Sequence, residues 1–247
     1  MDKLKLSKHY FLIILMIEII LMEPRRQGNL GAVARVMKNF SFENLVLINP
    51  KCKIGATARK VAKHANNILD KTKIKHINYL KKIDYLIGTT SILGTDYNIP
   101  RNAIDVEQFA EKMSAVNYNK LKIGILIGRE ASGLTNEEIN QCDAIVTIPV
   151  SKKYSALNVS HSAAIILYEL FKKIGGNKSN SHINFATGKD KEVMMRYIYK
   201  ILDKLEFSTP EKKDTQKKVW KRVFGKAMLT KREAFAVMGF FRKLLRE

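Results

Sequence analysis

The chain has 247 residues, 46% of them hydrophobic, and sets 44 Lys and Arg against 23 Asp and Glu for a formal charge of +21. A chain of this length and apolarity buries a sizeable core, which excludes wholesale disorder. The cationic excess raises a positive potential over much of the surface and points to a polyanion, with nucleic acid ahead of an anionic membrane and of a mere lysine-rich bias.

The first apolar run, residues 11–22, is interrupted by Glu18 and is too short to span a bilayer. Behind Lys3, Lys5 and Lys8 it imitates a signal-peptide core, but Glu23-Pro24-Arg25-Arg26 follows where a small-residue cleavage site would stand. A buried strand fits better. Met16 is a candidate start, with residues 1–15 a possible N-terminal extension. Further short apolar runs at 17–22, 45–48, 85–88, 123–127 and 144–148 read as strands. Between them lie helical patterns at 30–40, 56–69, 106–113 and 136–141, and a long apolar helix spans 163–174. Continuous apolar strands separated by helices predict α/β architecture with a mostly parallel sheet covered on both faces.

After residue 174 the composition changes. Gly175-Gly176-Asn177-Lys178-Ser179-Asn180-Ser181 reads as the start of a linker over 175–189. Residues 190–247 then read as a small all-α C-terminal module, with helices at 192–205, 215–224 and 232–245. Its docking partner is left open: the first domain, a second subunit or RNA. The basic series Lys212, Lys213, Lys217, Lys218, Lys221, Arg222 and Lys226 surrounds Trp220, which is expected in the module's own core while several lysines meet RNA.

Two cysteines, Cys52 and Cys142, form neither a disulfide framework nor a metal cluster and read as buried thiols of a reducing cytosol. The five histidines show no metal-ligand spacing. His161 is tempting as a base, but on a largely apolar helix it reads rather as a packed, satisfied side chain.

Chemistry is expected in loops after strand ends, where open α/β sheets collect ligands. The first loop runs from Glu23 to Gly31, with Gly28 and Gly31 for tight turns and Asn29 as a helix N-cap. A dinucleotide fingerprint fails there, because the spacing is Gly-x-x-Gly with no acidic residue after the next strand. The second loop is Gly128-Arg129-Glu130-Ala131-Ser132-Gly133-Leu134-Thr135, where Thr135 or Asn136 can cap the next helix. The third, Tyr154-Ser155-Ala156-Leu157-Asn158-Val159-Ser160, opens the long apolar helix, whose first N–H groups are ready partners for a ligand. Gly88-Thr89-Thr90-Ser91 ends another strand and offers hydroxyls. Taken singly, each is an ordinary polar turn.

Together, in this order over residues 16–174, the loops resemble the three signature motifs of the SPOUT (TrmH-like) RNA 2′-O-ribose methyltransferases. The Met37-Lys38-Asn39 ending of the first motif and the helical tail resemble the TrmJ branch. This resemblance implies a C-terminal trefoil knot in the sheet domain, bound S-adenosyl-L-methionine, and a homodimer with sites at its interface. It implies a cofactor pocket of Thr89, Thr90, Ser91, Gly128, Ile148, Ser155, Ala156 and Leu157. The motif arginine falls on Arg35, with Asn29, Glu130, Asn158 and Ser160 around the reacting centre. RNA contacts are expected from Arg25, Arg26, Lys217, Lys218, Lys221 and Arg222, and no metal is required. The expected activity is a cytoplasmic tRNA (cytidine-2′-O-)-methyltransferase acting at position 32, the first nucleotide of the anticodon loop. The alternatives are a ribosomal RNA substrate or a non-catalytic RNA-binding knot protein.

Overall fold

A computed structural model describes residues 16–91, 103–114, 121–151, 153–176 and 184–246, so the extension 1–15 and linker residues 177–183 lie outside the described residues. Seven parallel strands form one sheet: β1 (Ile17–Met22), β2 (Asn44–Ile48), β3 (Lys73–Lys75), β4 (Tyr85–Thr89), β5 (Ile104–Asp105), β6 (Ile123–Ile127) and β7 (Ala144–Thr147). Their order is β3-β2-β1-β6-β4-β7-β5. The two central strands, β1 and β6, are buried at every position, as continuous apolar runs require when both faces are covered. Side chains alternate between two cores, Ile17, Ile19 and Leu21 on one face and Ile20 and Met22 on the other. β3 and β5 were not expected. One is a fully exposed Lys-Ile-Lys and the other two residues long, so neither carries an apolar pattern.

Glu18 is the polar exception inside β1, only 3% exposed. The Tyr79 hydroxyl donates to both its carboxylate oxygens at 2.9 Å, and Lys73 and Lys122 each lie 3.6 Å away. Burial, reinforced by the bond to Glu18, pushes the Tyr79 phenol up to about 12.

Helices α1 (Gln27–Asn39), α2 (Ala56–Ala62), α3 (Asn66–Asp70), α4 (Val106–Ser114) and α6 (Val159–Gly176) supply the first core, and α5 (Asn136–Gln141) packs on the other. The single helix expected at 56–69 is broken by a 3-10 turn, Lys63–Ala65, with Lys63 at φ +54°. Thr135 caps α5 in a capping box with Glu138. Asn29 is not a cap. α1 starts earlier, after Arg26, and Asn29 lies in its first turn with its amide free for other work.

Gly31 is likewise helical, and its lack of a side chain serves packing rather than turning. A Cβ there would lie 2.1 Å from the Ala58 carbonyl oxygen of α2, whereas one at Gly28 meets nothing within 4 Å. Gly31→Ala is expected to cost about 1–3 kcal/mol by forcing the helices apart, and Gly28→Ala to be neutral or slightly stabilising. Denaturant unfolding of the two variants checks this.

The C-terminal module comprises α7 (Gly188–Lys204), α8 (Pro210–Ala227) and α9 (Lys231–Leu244). Its core joins Met194, Ile198, Leu202, Phe224, Met238 and Phe241. Trp220 packs there as expected, its ring centroid 5.5 Å from that of Phe224. The module docks on the sheet domain. Arg222 Nη2 donates to the Ile139 carbonyl at 3.0 Å and Lys221 Nζ to that of Asn140 at 2.7 Å, capping the last carbonyls of α5. Lys191 Nζ reaches Asp143 at 2.8 Å, and Gly188 N donates to Asp84 at 3.0 Å. Two expected RNA contacts are thereby corrected: Arg222 is 6% exposed, and Lys221 is spent on a helix end. Burial pushes the pKa of both groups down, which follows from moving cations out of water. Within the expected linker, Phe185 is buried in the sheet-domain core against Tyr85 and bridges to Thr230 of the module.

Candidate functional site

The carboxyl ends of β4, β6 and β7 open into one cavity. Thr89, Thr90, Ser91, Gly128, Ile148, Ser155, Ala156 and Leu157 all line it. Ile127, Leu134, Val146 and Val159 add apolar wall, and Ser162 a further hydroxyl. Apolar surface for a flat base beside hydroxyls for a ribose is the donor set an adenosine needs, so the lining fits S-adenosyl-L-methionine. Gly128 lines the cavity and is also constrained by its own loop. A Cβ on it would lie 2.3 Å from the Gly133 carbonyl carbon, so it is the loop's own fold that excludes a side chain. The loop closes by paired backbone bonds between Arg129 and Gly133 at 3.1 and 3.0 Å, with Gly133 at φ +64°.

A chain of polar contacts ties the three motif loops together. The Glu130 carboxylate accepts from the backbone N–H of Arg25 at 3.3 Å and of Arg26 at 3.2 Å, and from Asn29 Nδ2 at 3.2 Å. Asn29 Oδ1 in turn accepts from Asn158 Nδ2 at 3.2 Å. Asn158 Oδ1 accepts from Ser160 N and Ser160 Oγ, both at 2.8 Å. Asn158 therefore caps α6 itself and uses one of the N–H groups expected to be free for a ligand. Glu130 also lines the cavity, which places this chain at its rim.

Partial burial pushes the Glu130 carboxyl up, but the bonds from Asn29 and the backbone outweigh it and hold the group below the usual 4.5. A carboxyl depressed in the folded state stabilises the fold above its unfolded pKa, and that contribution is lost as pH falls through the folded value. Wild type is thus expected to melt above a Glu130→Gln variant at neutral pH, with the gap closing below about pH 4.5. Thermal unfolding of both between pH 7 and 3 checks the sign.

Arg35 is not in this cluster. It lies six residues along α1 from Asn29, about 9 Å further on and about a third of a turn round. Its side chain is exposed and borders a separate cavity with Lys38, Asn39, Ala62, Lys63, His64 and Ala65. Arg25 and Arg26 are exposed, only their backbone being engaged with Glu130. Lys218 is exposed, and Lys217 sits 3.2 Å from Asp214. His161, expected to be packed, is exposed and does not line the cavity. Cys142 is buried as expected, whereas Cys52 is only half-buried.

The support beneath the second loop leaves no mark in the sequence. Arg129 forks onto Glu138 at 2.9 and 2.8 Å and reaches Glu23 through Nε at 3.0 Å. The three side chains are 8 to 22% exposed. The Arg129 guanidinium holds the Glu23 carboxyl below its usual range. Glu138 reads in sequence as a first-turn acid of α5, and nothing in its spacing announces an arginine partner nine residues earlier. Among the described residues no three His, Cys, Asp or Glu gather as a metal site, and no helix is long and apolar enough to cross a membrane.

Residues 16–168 match the SpoU rRNA Methylase family. The chain belongs to this family. It is 38% identical to the tRNA (cytidine-2′-O-)-methyltransferase TrmJ of Methanocaldococcus jannaschii, over 93% of this chain and 100% of that one. With the enzyme of the same description from Sulfolobus acidocaldarius the identity is 30%, over 92% and 93%. Among solved structures, TrmJ from Z. mobilis superposes with a TM-score of 0.65 at 23% identity, covering 92% of this chain and 98% of that one. A probable methylase family protein from Haemophilus influenzae gives 0.62 at 26%, over 94% and 97%. The SpoU sheet domain and the helical module are thus both spanned by these likenesses. The family match ends at residue 168, inside α6, so it bears on the cavity and the polar chain but not on the module.

Proposed function

We propose that this SpoU-family chain is an S-adenosyl-L-methionine-dependent tRNA 2′-O-ribose methyltransferase that modifies cytidine at position 32, the first nucleotide of the anticodon loop. One observation carries the reading: a single cavity at the carboxyl strand ends is lined by the residues expected to hold the cofactor, and a polar chain from all three motifs stands at its rim. The full-length likeness to the M. jannaschii tRNA enzyme supports tRNA over ribosomal RNA.

When bound, the cofactor supplies an electrophilic methyl group. The chain's own residues do the rest. Hydroxyls of Thr89, Thr90, Ser91 and Ser155 and backbone around Gly128, Ala156 and Leu157 hold the adenosine, with Ile148 as apolar wall. Methyl transfer is an in-line displacement, so positioning supplies much of the acceleration. Asn29, Glu130, Asn158 and Ser160 fix the rim against which the ribose is placed. The 2′-hydroxyl is a poor nucleophile until its proton passes to water, and Arg35 stabilises the incipient alkoxide. A guanidinium is a poor proton acceptor but a permanent cation. Because Arg35 stands away from the cavity of its own chain, a homodimeric site completed across the interface accounts for its role. The knot threading, a cytoplasmic location and RNA contacts from Arg25, Arg26, Lys217 and Lys218 belong to the same proposal.

The test is transfer of labelled methyl from S-adenosyl-L-methionine to purified tRNA and, separately, to ribosomal RNA. Label in tRNA alone is the expected result. Label only in ribosomal RNA would keep the chemistry and overturn the substrate, and label in neither would favour a binding protein that retains the pocket.

A further inference from the structure

With Lys221 and Arg222 spent on docking, the module's open cationic surface lies elsewhere, and α9 shows where. Its inward face, Ala234, Met238 and Phe241, is used in the module's core. Its outward face carries Phe235, 53% exposed, and Phe240, 61% exposed, flanking a strip of small residues, Ala236 and Gly239. A Cβ on Gly239 would meet nothing within 4 Å, so the strip is an open floor. Five cations stand on or beside this strip, all exposed: Lys231, Arg232, Arg242, Lys243 and Arg246. Among the described residues none of them pairs with a carboxylate. The one acid of the helix, Glu233, is held in its capping box by Thr230.

Large aromatic rings in water among cations that lack a carboxylate partner, Lys231 lying 5.9 Å over the Phe235 ring, suit a chain that offers flat apolar faces and phosphates together. We propose that the outward face of α9 is a stacking platform for unpaired nucleotides of the substrate RNA. Phe235 and Phe240 take base faces, and Lys243 and its neighbours take the backbone. A second copy of this chain fits poorly, because a symmetric contact would bring the same five cations against each other. A membrane surface fits poorly too, since the continuous apolar face of α9 is already consumed inside the module.

Within one chain the platform is remote from the cavity. The module docks at Asp84 and Asp143, which precede β4 and β7, whereas the cavity lies at the opposite, carboxyl ends of those strands. Toward the cavity of its own chain it therefore acts on RNA affinity and not on the methyl-transfer step.

The inference rests on the tRNA methyltransferase reading, and the experiment separates the two. Binding of tRNA is measured at several salt concentrations for the full-length wild type, a Phe235→Ala/Phe240→Ala double variant, a Phe235→Leu/Phe240→Leu double variant and Lys243→Ala. Both double variants are expected to bind about tenfold to a hundredfold more weakly, with KM raised, kcat within about twofold and the salt slope unchanged. Lys243→Ala is expected to lower the salt slope by about one. Leucine keeps the apolar area and removes the ring, so a leucine variant that binds like wild type overturns stacking. Loss of self-association in the double variants, or of binding to anionic phosphatidylserine vesicles with tRNA affinity intact, overturns the choice of RNA. If wild type itself fails to bind tRNA, the underlying reading falls and this inference with it.

Discussion

Arg35→Ala is expected to fold and to bind S-adenosyl-L-methionine like the wild type while methyl transfer to tRNA falls by about 10²- to 10³-fold, the usual loss when one stabiliser of a developing oxyanion is removed. The first half of that expectation follows from position. Arg35 is exposed on α1, makes no hydrogen bond or ion pair among the described residues, and does not line the cofactor cavity. Truncation of such a side chain changes stability by no more than about 0.5 kcal/mol. The second half follows from chemistry, since a permanent cation near a ribose hydroxyl acts only as charge develops on it. Arg35→Lys separates charge from shape: partial rescue points to electrostatics, and none points to the planar fork. Unchanged kcat in Arg35→Ala would remove this residue from the mechanism. The measurement is a kcat and KM comparison alongside a cofactor titration.

Gly225→Ala is expected to be the most damaging single substitution in the module. A Cβ there would sit 2.0 Å from the Asp143 carbonyl oxygen and 2.7 Å from its carbon, both backbone atoms that cannot step aside. α8 must lift away, and Lys221 and Arg222 are pulled off the carbonyls of α5 with it. Overpacking of this kind costs about 1–3 kcal/mol, or on the order of 3–10 °C in Tm for a chain of this size. Cofactor affinity is expected to weaken as well. α5 carries Glu138, whose fork to Arg129 supports the loop that lines the cavity. Gly239→Ala, where a Cβ meets open space, is the control and is expected to be neutral or stabilising by up to about 1 kcal/mol. Equal melting of wild type and Gly225→Ala would show that α8 does not press on Asp143.

The sheet was legible where burial is total. β1 and β6 are apolar on both faces, and their bounds follow from the sequence alone. β3 and β5 were not, because a three-residue exposed edge and a two-residue strand are defined by hydrogen bonds that leave no trace in hydrophobicity. The cavity lining was legible through motif resemblance, but the reason for Gly128 was not. Its constraint comes from a loop folding back on itself, which spacing cannot show. Asn29 read as a cap because its residue type favours that role. In the structure it is the middle link between Glu130 and Asn158, a fact of tertiary placement. Lys221 and Arg222 misled for a general reason: a basic run reads as a solvated face, and only the docked structure shows two of its members capping a helix in another domain. His161 failed in the opposite direction, being exposed on a helix whose other face is core.

The central claim is methylation of a ribose hydroxyl at one tRNA nucleotide, and alkaline mapping of the product tests it most directly. A 2′-O-methyl group removes the hydroxyl that attacks the adjoining phosphate, so the bond on its 3′ side resists base. After incubation with the chain and S-adenosyl-L-methionine, one new alkali-resistant bond is expected, following cytidine at the first position of the anticodon loop. Methyl label in tRNA with every bond still alkali-sensitive would place the group on a base and contradict the account.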